Sequence, residues 1–200
     1  MSTAAQNVDY KRELKHLYSA ARTPALVDVP RLHYLMIQGS GGPYGAQYGA
    51  AVEALFSVAY AVKFAVRREQ GVAFGVMPLE SLWHTKDDTV PQETWDWTAM
   101  IMQPPPVTAR TVEAARAAVI AKKGLAGAAE LAYEELVEGT SAQVLHAGPY
   151  DAEKPTIDAL HAFIGQRGLR PYGAHHEIYL NNPDRTAAER LKAVIRQPVR

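Results

Sequence analysis

The feature that most limits the fold is a pattern that occurs twice along the 200-residue chain. Gly42-Pro43-Tyr44 precedes a segment with helical periodicity, and Gly148-Pro149-Tyr150 precedes a second one. Each predicted helix is preceded by one strand-like segment and followed by two others. Two such units predict an antiparallel sheet with helices on one face, and so an α+β fold built as a tandem repeat. Because clefts between repeated units are favoured ligand sites, we expect a central ligand cleft.

The predicted elements form one domain over residues 1–200. We expect an N-terminal helix within residues 1–24, the first unit over residues 25–103 and the second over residues 108–200. Three consecutive prolines, Pro104-Pro105-Pro106, mark the break between the units.

Helical spacing of apolar residues predicts two long helices, over residues 46–68 and 108–122, each followed by a glycine that stops it. Residues 72–77 and 79–84 are predicted to form one continuous strand, and residues 86–93 a hairpin loop. Residues 125–137 fit a helix or one face of a strand, and the sequence leaves both open.

The composition excludes several classes of protein. Lys+Arg and Asp+Glu both number 21, so the net charge is zero and the electrostatic footprint of a nucleic-acid binder is missing. With no cysteine, disulfides, thiolate catalysis and Cys-ligated metals are excluded. The most apolar segment, residues 50–66, is interrupted by Glu53 and Lys63 and is shorter than a membrane span. We therefore expect a soluble cytoplasmic protein with no cofactor and no obligate protein partner.

Residues 175–180 are a β-prone segment with an acid where a strand does not favour one. Side chains alternate between faces in a strand. His176, Ile178 and Leu180 then form a face that can pack on helices, opposite His175, Glu177 and Tyr179. A buried carboxylate is costly without a partner, so Glu177 either faces water or lies on the floor of a ligand pocket. His175 and His176 point to opposite faces and cannot easily chelate one ion, so no metal is predicted.

Several motifs resemble a known family. They are His146 to Tyr150, the segment 175–180 and Asn182-Pro183-Asp184-Arg185 in the second half, with Pro78-Leu79-Glu80 and Trp95-Asp96-Trp97-Thr98 in the first. Together they resemble the GyrI-like small-molecule-binding family over nearly the whole chain. We expect the free-standing branch, because about twenty residues precede the domain and leave no room for a helix-turn-helix.

The resemblance implies a pocket in which a central acid ringed by aromatic residues binds bulky, flat, often cationic molecules. Glu177 matches that acid, and Trp83, Trp97, His146 and Tyr179 are the further candidate ligand-binding residues. The family pattern leads us to expect a Trp pair where this chain has Trp83-His84, which puts the substrate preference in doubt.

Some free-standing relatives hydrolyse the strained cyclopropane ring of DNA-alkylating natural products. For this reaction Glu177 is the candidate general base. Tyr133 is the candidate partner that positions water or donates to the developing oxyanion, with His146 as the alternative donor. The structural alternatives are a packed aromatic for Tyr133 and a satisfied histidine for His146. Glu80 is either a second pocket acid or a solvated one.

Three functions follow. The first is a protein that binds bulky aromatic small molecules, cationic ones included, and so protects against drugs or genotoxins. The second is a hydrolase that opens the cyclopropane ring of such genotoxins, and it shares the pocket of the first. The third is a protein-binding inhibitor of DNA gyrase. The neutral charge and the complete set of aromatic residues weigh against the third.

Overall fold

The computed structural model describes residues 5–84 and 90–200. The α-helices of this part of the chain are α1 (Tyr10–Glu13), α2 (Lys15–Tyr18), α3 (Ala46–Gln70), α4 (Ala109–Lys123) and α5 (Lys154–Gln166). Its strands are β1 (Gln6–Val8), β2 (Ala25–Val29), β3 (Leu32–Ser40), β4 (Val72–Phe74), β5 (Leu79–Trp83), β6 (Asp96–Gln103), β7 (Ala132–Leu136), β8 (Gly139–Ala147), β9 (His175–Tyr179) and β10 (Lys192–Pro198).

Eight of the strands form one antiparallel sheet in the order β2-β8-β10-β9-β5-β6-β3-β7. The α+β class and the antiparallel sheet expected from the sequence are therefore confirmed. At the centre of the sheet, β5 from the first half pairs with β9 from the second. The strands on either side follow mirrored chain orders, β3, β6, β5 and β8, β10, β9, which is the order that two repeated units would produce. The repeat itself stays a prediction.

The sheet curls strongly. β7 is one edge strand and β8 lies next to the other edge, yet only Val137 and Glu138 separate them in the chain. The three Cα–Cα steps from Leu136 to Gly139 span at most about 11 Å, so the sheet must bend until its two ends approach each other. Glu138, the second residue of this link, lies in the interior of the curl and is 7% exposed.

Helices α3 and α5 lie on the same face of the sheet. Buried Leu160 and Ile164 of α5 pack with Val144 and Ile195, and Ile195 is directly opposite Glu177 in the β10–β9 pair. α3 packs against β3 and β6. The helices α3 and α5 therefore cover the Glu177 face, whereas the His176 face meets the short helix α2, whose Tyr18 donates to Glu80 at 2.8 Å.

The two long helices are confirmed, and α4 begins as predicted, with the side chain of Thr108 accepting a hydrogen bond from the backbone N–H of Thr111 at 3.2 Å. α3 and α4 end at Gly71 and Gly124, whose φ angles are 67° and 65°. These are left-handed conformations that favour glycine.

α3 is longer than the apolar segment noted in the sequence, and by length and composition alone it could cross a membrane. A core helix of a soluble protein passes the same test. Leu55, Val58, Val62 and Val66 of α3 are fully buried in the core of this domain.

Two segments differ from the expectation, and a third, which the sequence left open, is now assigned. The predicted N-terminal helix is two short helices, α1 and α2. β4 leaves the main sheet and pairs in parallel with β1, so the predicted continuous strand over residues 72–84 is wrong. Residues 125–137 divide into a 3₁₀ turn, Ala126–Glu130, and the strand β7. The predicted hairpin loop at 86–93 falls partly on residues 85–89, which lie outside the described residues, and Gln92–Thr94 forms a 3₁₀ turn.

Candidate ligand-binding site

A cleft of about 1580 Å³ opens between α3 and α5, and strands β5 and β9 form its floor. Tyr48, Val52 and Phe56 of α3 line one side, and Ile157 and His161 of α5 line the other. The cleft lies on the helix-bearing face of the sheet.

The pairing of β5 with β9 determines which side chains reach the floor. Residues directly opposite in an antiparallel pair point to the same face. The opposed pairs are Leu79 with Tyr179, Ser81 with Glu177, and Trp83 with His175. Glu177 therefore lies at the centre of the floor.

The carboxylate of Glu177 is 3% exposed and is held at both oxygens. Oε2 accepts a 2.8 Å hydrogen bond from the hydroxyl of Tyr179, and Oε1 lies 3.1 Å from Nε2 of His175. Burial and the nearby charge of Glu177 raise the pKa of Tyr179 well above its usual value, so Tyr179 keeps its proton and donates it to this bond. The acid is thus fixed in orientation at the bottom of the cleft.

Aromatic rings form the wall beside Glu177. Tyr48 stacks on Trp83 with ring centroids 5.7 Å apart and an interplanar angle of 20°. The Tyr48 hydroxyl lies 2.7 Å from Oγ of Ser81 on the floor. Trp83 donates from Nε1 to the Tyr179 hydroxyl at 3.3 Å and meets Trp95 edge-on at 5.8 Å. This wall offers flat, apolar surfaces beside a carboxylate, which suits an aromatic cation.

Tyr150 closes the cleft from the α5 side. Its ring lies 5.3 Å from that of Tyr179, and its hydroxyl is buried without a hydrogen-bond partner among the described residues. Burial raises the pKa of Tyr150 to about 12, with the charges of Glu177 and Glu153 adding to the effect. Near neutral pH the hydroxyl is protonated, and it can donate to a bound molecule.

The cleft is acidic overall. Its carboxylates are Asp151, Glu153, Asp158, Glu177 and Asp184, and its lysines are Lys11 and Lys154. Glu153, His175 and Glu177 offer ligand atoms that all lie within 4.8 Å of one another and could hold a metal ion. The prediction of no metal concerned His175 and His176, whose rings do bond carboxylates on opposite faces of β9. The absence of a metal stays a prediction.

The structure brings three of the predicted site residues together: Glu177, Tyr179 and Trp83 all line the cleft. Trp97 lies beneath the wall, 1% exposed, with its ring edge-on to Tyr48 at 5.1 Å. It supports the pocket without facing it. His84, at the position of the expected second Trp, is exposed at the cleft, and its Nε2 lies 2.9 Å from Oγ1 of Thr98.

His146 and Tyr133 do not reach Glu177. Nε2 of His146 lies 3.0 Å from the carbonyl oxygen of Pro149, and Nδ1 lies 3.0 Å from the hydroxyl of Thr156. His146 therefore anchors the turn that carries Tyr150. Tyr133 donates to the carbonyl oxygen of Val107 at 3.1 Å. It lies on β7, four strands away from β9 in the sheet order.

Glu80 is neither a pocket acid nor solvated. It is fully buried on the opposite face of the sheet, where Oε2 lies 3.0 Å from Nε2 of His176. Nδ1 of His176 lies 2.9 Å from Glu138, and Glu138 also pairs with Arg196 at 3.2 Å. Tyr18 donates to the other oxygen of Glu80 at 2.8 Å.

This buried network is charged. Burial alone would lower the pKa of His176, but Glu138 and Glu80 outweigh it and raise the pKa to about 9. Burial alone would raise the pKa of Glu138, but His176 and Arg196 outweigh it and lower the pKa to about 2. Since both ring nitrogens of His176 face carboxylates, both donate, and the ring carries a positive charge. The network fixes β9 from behind, directly below Glu177.

Sequence reasoning missed Tyr48, Tyr150 and Glu153 as cleft residues. Tyr150 belongs to the repeated Gly-Pro-Tyr turn, which is a signal that was available in the sequence. Tyr48 lies four residues before Val52 on the face of α3 that lines the cleft, but only the fold shows that this end of the helix overlies the floor.

The fold and the cleft define a ligand-binding α+β domain. The GyrI-like small molecule binding domain matches residues 22–200, and the chain belongs to this family. No curated protein matches the sequence.

Solved structures agree with this assignment. An uncharacterized conserved protein from Listeria innocua is 33% identical, with a TM-score of 0.90 over 96% of this chain and 100% of that chain. A hydrolase from Listeria innocua is 32% identical, with a TM-score of 0.87 and the same coverage. The C-terminal domain of EcmrR, 13% identical with a TM-score of 0.57 over 89% of this chain and 97% of that chain, shares the fold.

Proposed function

We propose that this protein binds bulky, flat aromatic molecules in the cleft, that it prefers cations, and that binding protects the cell from drugs or genotoxins. The observation that carries the proposal is the placement of Glu177, a 3%-exposed carboxylate at the centre of the cleft floor. A buried carboxylate attracts a lipophilic cation more strongly than an exposed one, because less water screens it.

The aromatic wall supports the same ligand class. A ring that enters the cleft can stack on Trp83 or Tyr48, and a cation over such a face gains about 0.5–2 kcal/mol. The carboxylates of the cleft outnumber its lysines, so the field in the cleft also favours a positive ligand over a negative one.

The test is a fluorescence titration with rhodamine 6G, a flat lipophilic cation, and with a neutral dye of similar size. We expect Glu177→Gln to weaken binding of the cation about tenfold and to leave the neutral dye within about twofold, as loss of one partly buried charge pair predicts. Glu134→Gln, which removes an exposed acid on β7, is the matched control. Equal affinity of wild type and Glu177→Gln for the cation would contradict the proposal.

We propose a second function for the same cleft: hydrolysis of compounds that carry a strained cyclopropane. The support is that the neighbour from Listeria innocua described as a hydrolase aligns over its whole length at 32% identity. In the reaction the oxygen of water bonds to a ring carbon and the strained C–C bond breaks. The released electron pair moves to a conjugated carbonyl, which takes up a proton.

The cleft offers a group for each proton transfer. Glu177 is the base that accepts a proton from the attacking water. Tyr150 replaces Tyr133 and His146 as the donor to the carbonyl oxygen, because its buried hydroxyl is protonated and free to donate. Tyr179 acts through Glu177 by fixing the orientation of the carboxylate.

The two functions differ in whether the ligand leaves unchanged. The protein is incubated with a hundredfold excess of a cyclopropane-bearing alkylator, and the ring-opened hydrate is followed by mass spectrometry. Hydrate formed over many turnovers by wild type and lost in Glu177→Gln would establish the hydrolase. Binding of the alkylator without any hydrate above the spontaneous rate would leave the binding function alone.

A further inference from the structure

A second pocket of about 490 Å³ borders the cleft, and we call it the basic pocket. Its charged residues are Arg22, Arg185, Arg190, Lys192 and a single acid, Glu189. Asn181 lines both the cleft and the basic pocket, so the two cavities meet at this residue.

The four cations of the basic pocket outnumber its one acid, Glu189, and are not paired with it or with any other described residue. Within residues 5–84 and 90–200, none of their side chains makes an ion pair or a hydrogen bond with another residue. Cations that converge without partners repel one another, and a bound anion relieves that repulsion. Since the whole chain has zero net charge, the separation of a basic pocket from an acidic cleft is a local feature of this region.

The loop after β9 separates the acidic residues of the cleft from the basic residues of the basic pocket. The side chain of Asn182 accepts a 2.8 Å hydrogen bond from the backbone N–H of Asp184 and begins the 3₁₀ turn Pro183–Arg185. Asp184 lines the cleft, and the next residue, Arg185, lines the basic pocket. Oδ1 of Asn181, at the boundary, is buried without a hydrogen-bond partner among the described residues.

We propose that the basic pocket binds an anionic group, a sulfonate, phosphate or carboxylate, carried on an arm of the molecule whose aromatic part lies in the cleft. The proposal rests on the proposed function and narrows its ligand class to compounds with a flat aromatic part and an anionic arm. Guanidinium groups suit such anions because their paired N–H groups match two oxygens at once. The arm passes Asn181, whose unpartnered Oδ1 can accept a hydrogen bond from an N–H or O–H group on the arm.

The test uses rhodamine amides with an alkyl arm of two to six carbons that ends in either a sulfonate or a hydroxyl. We expect wild type to bind the best sulfonate-armed dye about five- to tenfold more tightly than its hydroxyl-armed partner, as one or two exposed ion pairs predict. The double substitution of Arg185→Gln with Arg190→Gln should abolish this gain and leave the hydroxyl-armed dye unaffected. Arg110→Gln with Lys122→Gln, which removes two exposed cations from α4, should retain the gain.

The outcomes separate the two proposals. If neither dye binds wild type, the proposed function fails. If the hydroxyl-armed dye binds and the sulfonate gives no gain at any arm length, the basic-pocket proposal is overturned. A gain that survives the Arg185/Arg190 double substitution also overturns it. Inorganic pyrophosphate serves as a competitor, and it should weaken the binding of the sulfonate-armed dye but not of the hydroxyl-armed dye. If pyrophosphate binds but the sulfonate gives no gain in affinity, the pocket takes free anions only.

Discussion

The hydroxyl of Tyr179 donates a 2.8 Å hydrogen bond to Oε2 of Glu177, two residues earlier on the same strand. The same hydroxyl accepts from Nε1 of Trp83 at 3.3 Å, and the ring lies against that of Tyr150. One side chain therefore connects the central acid to the aromatic residues on both sides of the cleft.

Tyr179→Phe tests this connection. The substitution removes the donor to Glu177 and leaves Trp83 without its acceptor, while the ring stays. A hydrogen bond to a charged group contributes about 1.5–3 kcal/mol, so we expect a lower melting temperature. The affinity for rhodamine 6G should fall about tenfold because the carboxylate is no longer held in place. Tyr172→Phe, at an exposed tyrosine, should change neither. Unchanged dye binding in Tyr179→Phe would show that Glu177 needs no positioning.

Two tyrosine substitutions separate the donor suggested by the sequence from the one suggested by the geometry. If the protein hydrolyses cyclopropanes, Tyr150→Phe should lower the rate at saturating substrate about a hundredfold and leave binding intact, the usual cost of one missing oxyanion donor. Tyr133→Phe should leave the rate unchanged and cost about 1 kcal/mol of stability, because its bond to Val107 is lost. For each variant, initial rates measure the effect on catalysis and urea unfolding measures the effect on stability. A normal rate in Tyr150→Phe with a slow Tyr133→Phe would reverse the assignment.

The buried network predicts how stability depends on pH. The pKa of His176 is raised from 6.5 to about 9, so its contribution is complete below pH 6.5 and is lost as the pH rises through 9. The pKa of Glu138 is lowered from 4.5 to about 2, so its contribution is complete above pH 4.5 and is lost as the pH falls through 2. The pKa shifts of His176 and Glu138 arise largely from the same ion pair between them, so their contributions to stability are not added. We expect the free energy of unfolding to be highest between about pH 4.5 and 6.5 and to fall on both sides.

His176→Leu checks the origin of this profile. The substitution leaves Glu80 and Glu138 buried with fewer partners and should cost about 3–5 kcal/mol at pH 6. It should also flatten the profile between pH 6.5 and 9, measured by urea unfolding. His16→Leu, at an exposed histidine, should keep the wild-type profile. A wild-type protein equally stable at pH 6 and pH 9.5 would contradict a charged His176.

Close packing against Trp97 leaves no room for a side chain at Gly39. A Cβ at this position would lie 2.5 Å from two carbons of the Trp97 ring, which is 1% exposed and cannot move aside freely. Gly39→Ala should therefore cost about 1–3 kcal/mol and, by displacing the support of Tyr48, should weaken dye binding. Gly75→Ala, where nothing lies within 4 Å of the added Cβ, is the control. Equal urea midpoints for the two variants would show that Trp97 can relax.

The sequence predicted those elements whose signals are local. The helix α4 follows from apolar spacing together with Thr108 at its start and Gly124 after its end, all within seventeen residues. The alternation of β9 likewise predicted which side chains accompany Glu177. For the cleft, the resemblance to the family added the aromatic partner Trp83, which lies far away in sequence.

What the sequence did not predict depends on long-range pairing. Tyr133 was a reasonable donor by residue type, but β7 pairs with β3 at the far end of the sheet. Glu80 was ambiguous because its partners Tyr18 and His176 come from two other segments, and no local pattern joins them. Which helix meets each face of β9 could not be predicted for the same reason.

The two-residue link between β7 and β8 also decides how a ligand can enter. A sheet tethered end to end by Val137 and Glu138 cannot unroll to admit a molecule from its inner side without breaking strand pairs. The cleft lies on the other, helix-bearing face, so a molecule can reach its floor between α3 and α5 while the backbone hydrogen bonds of the sheet stay intact.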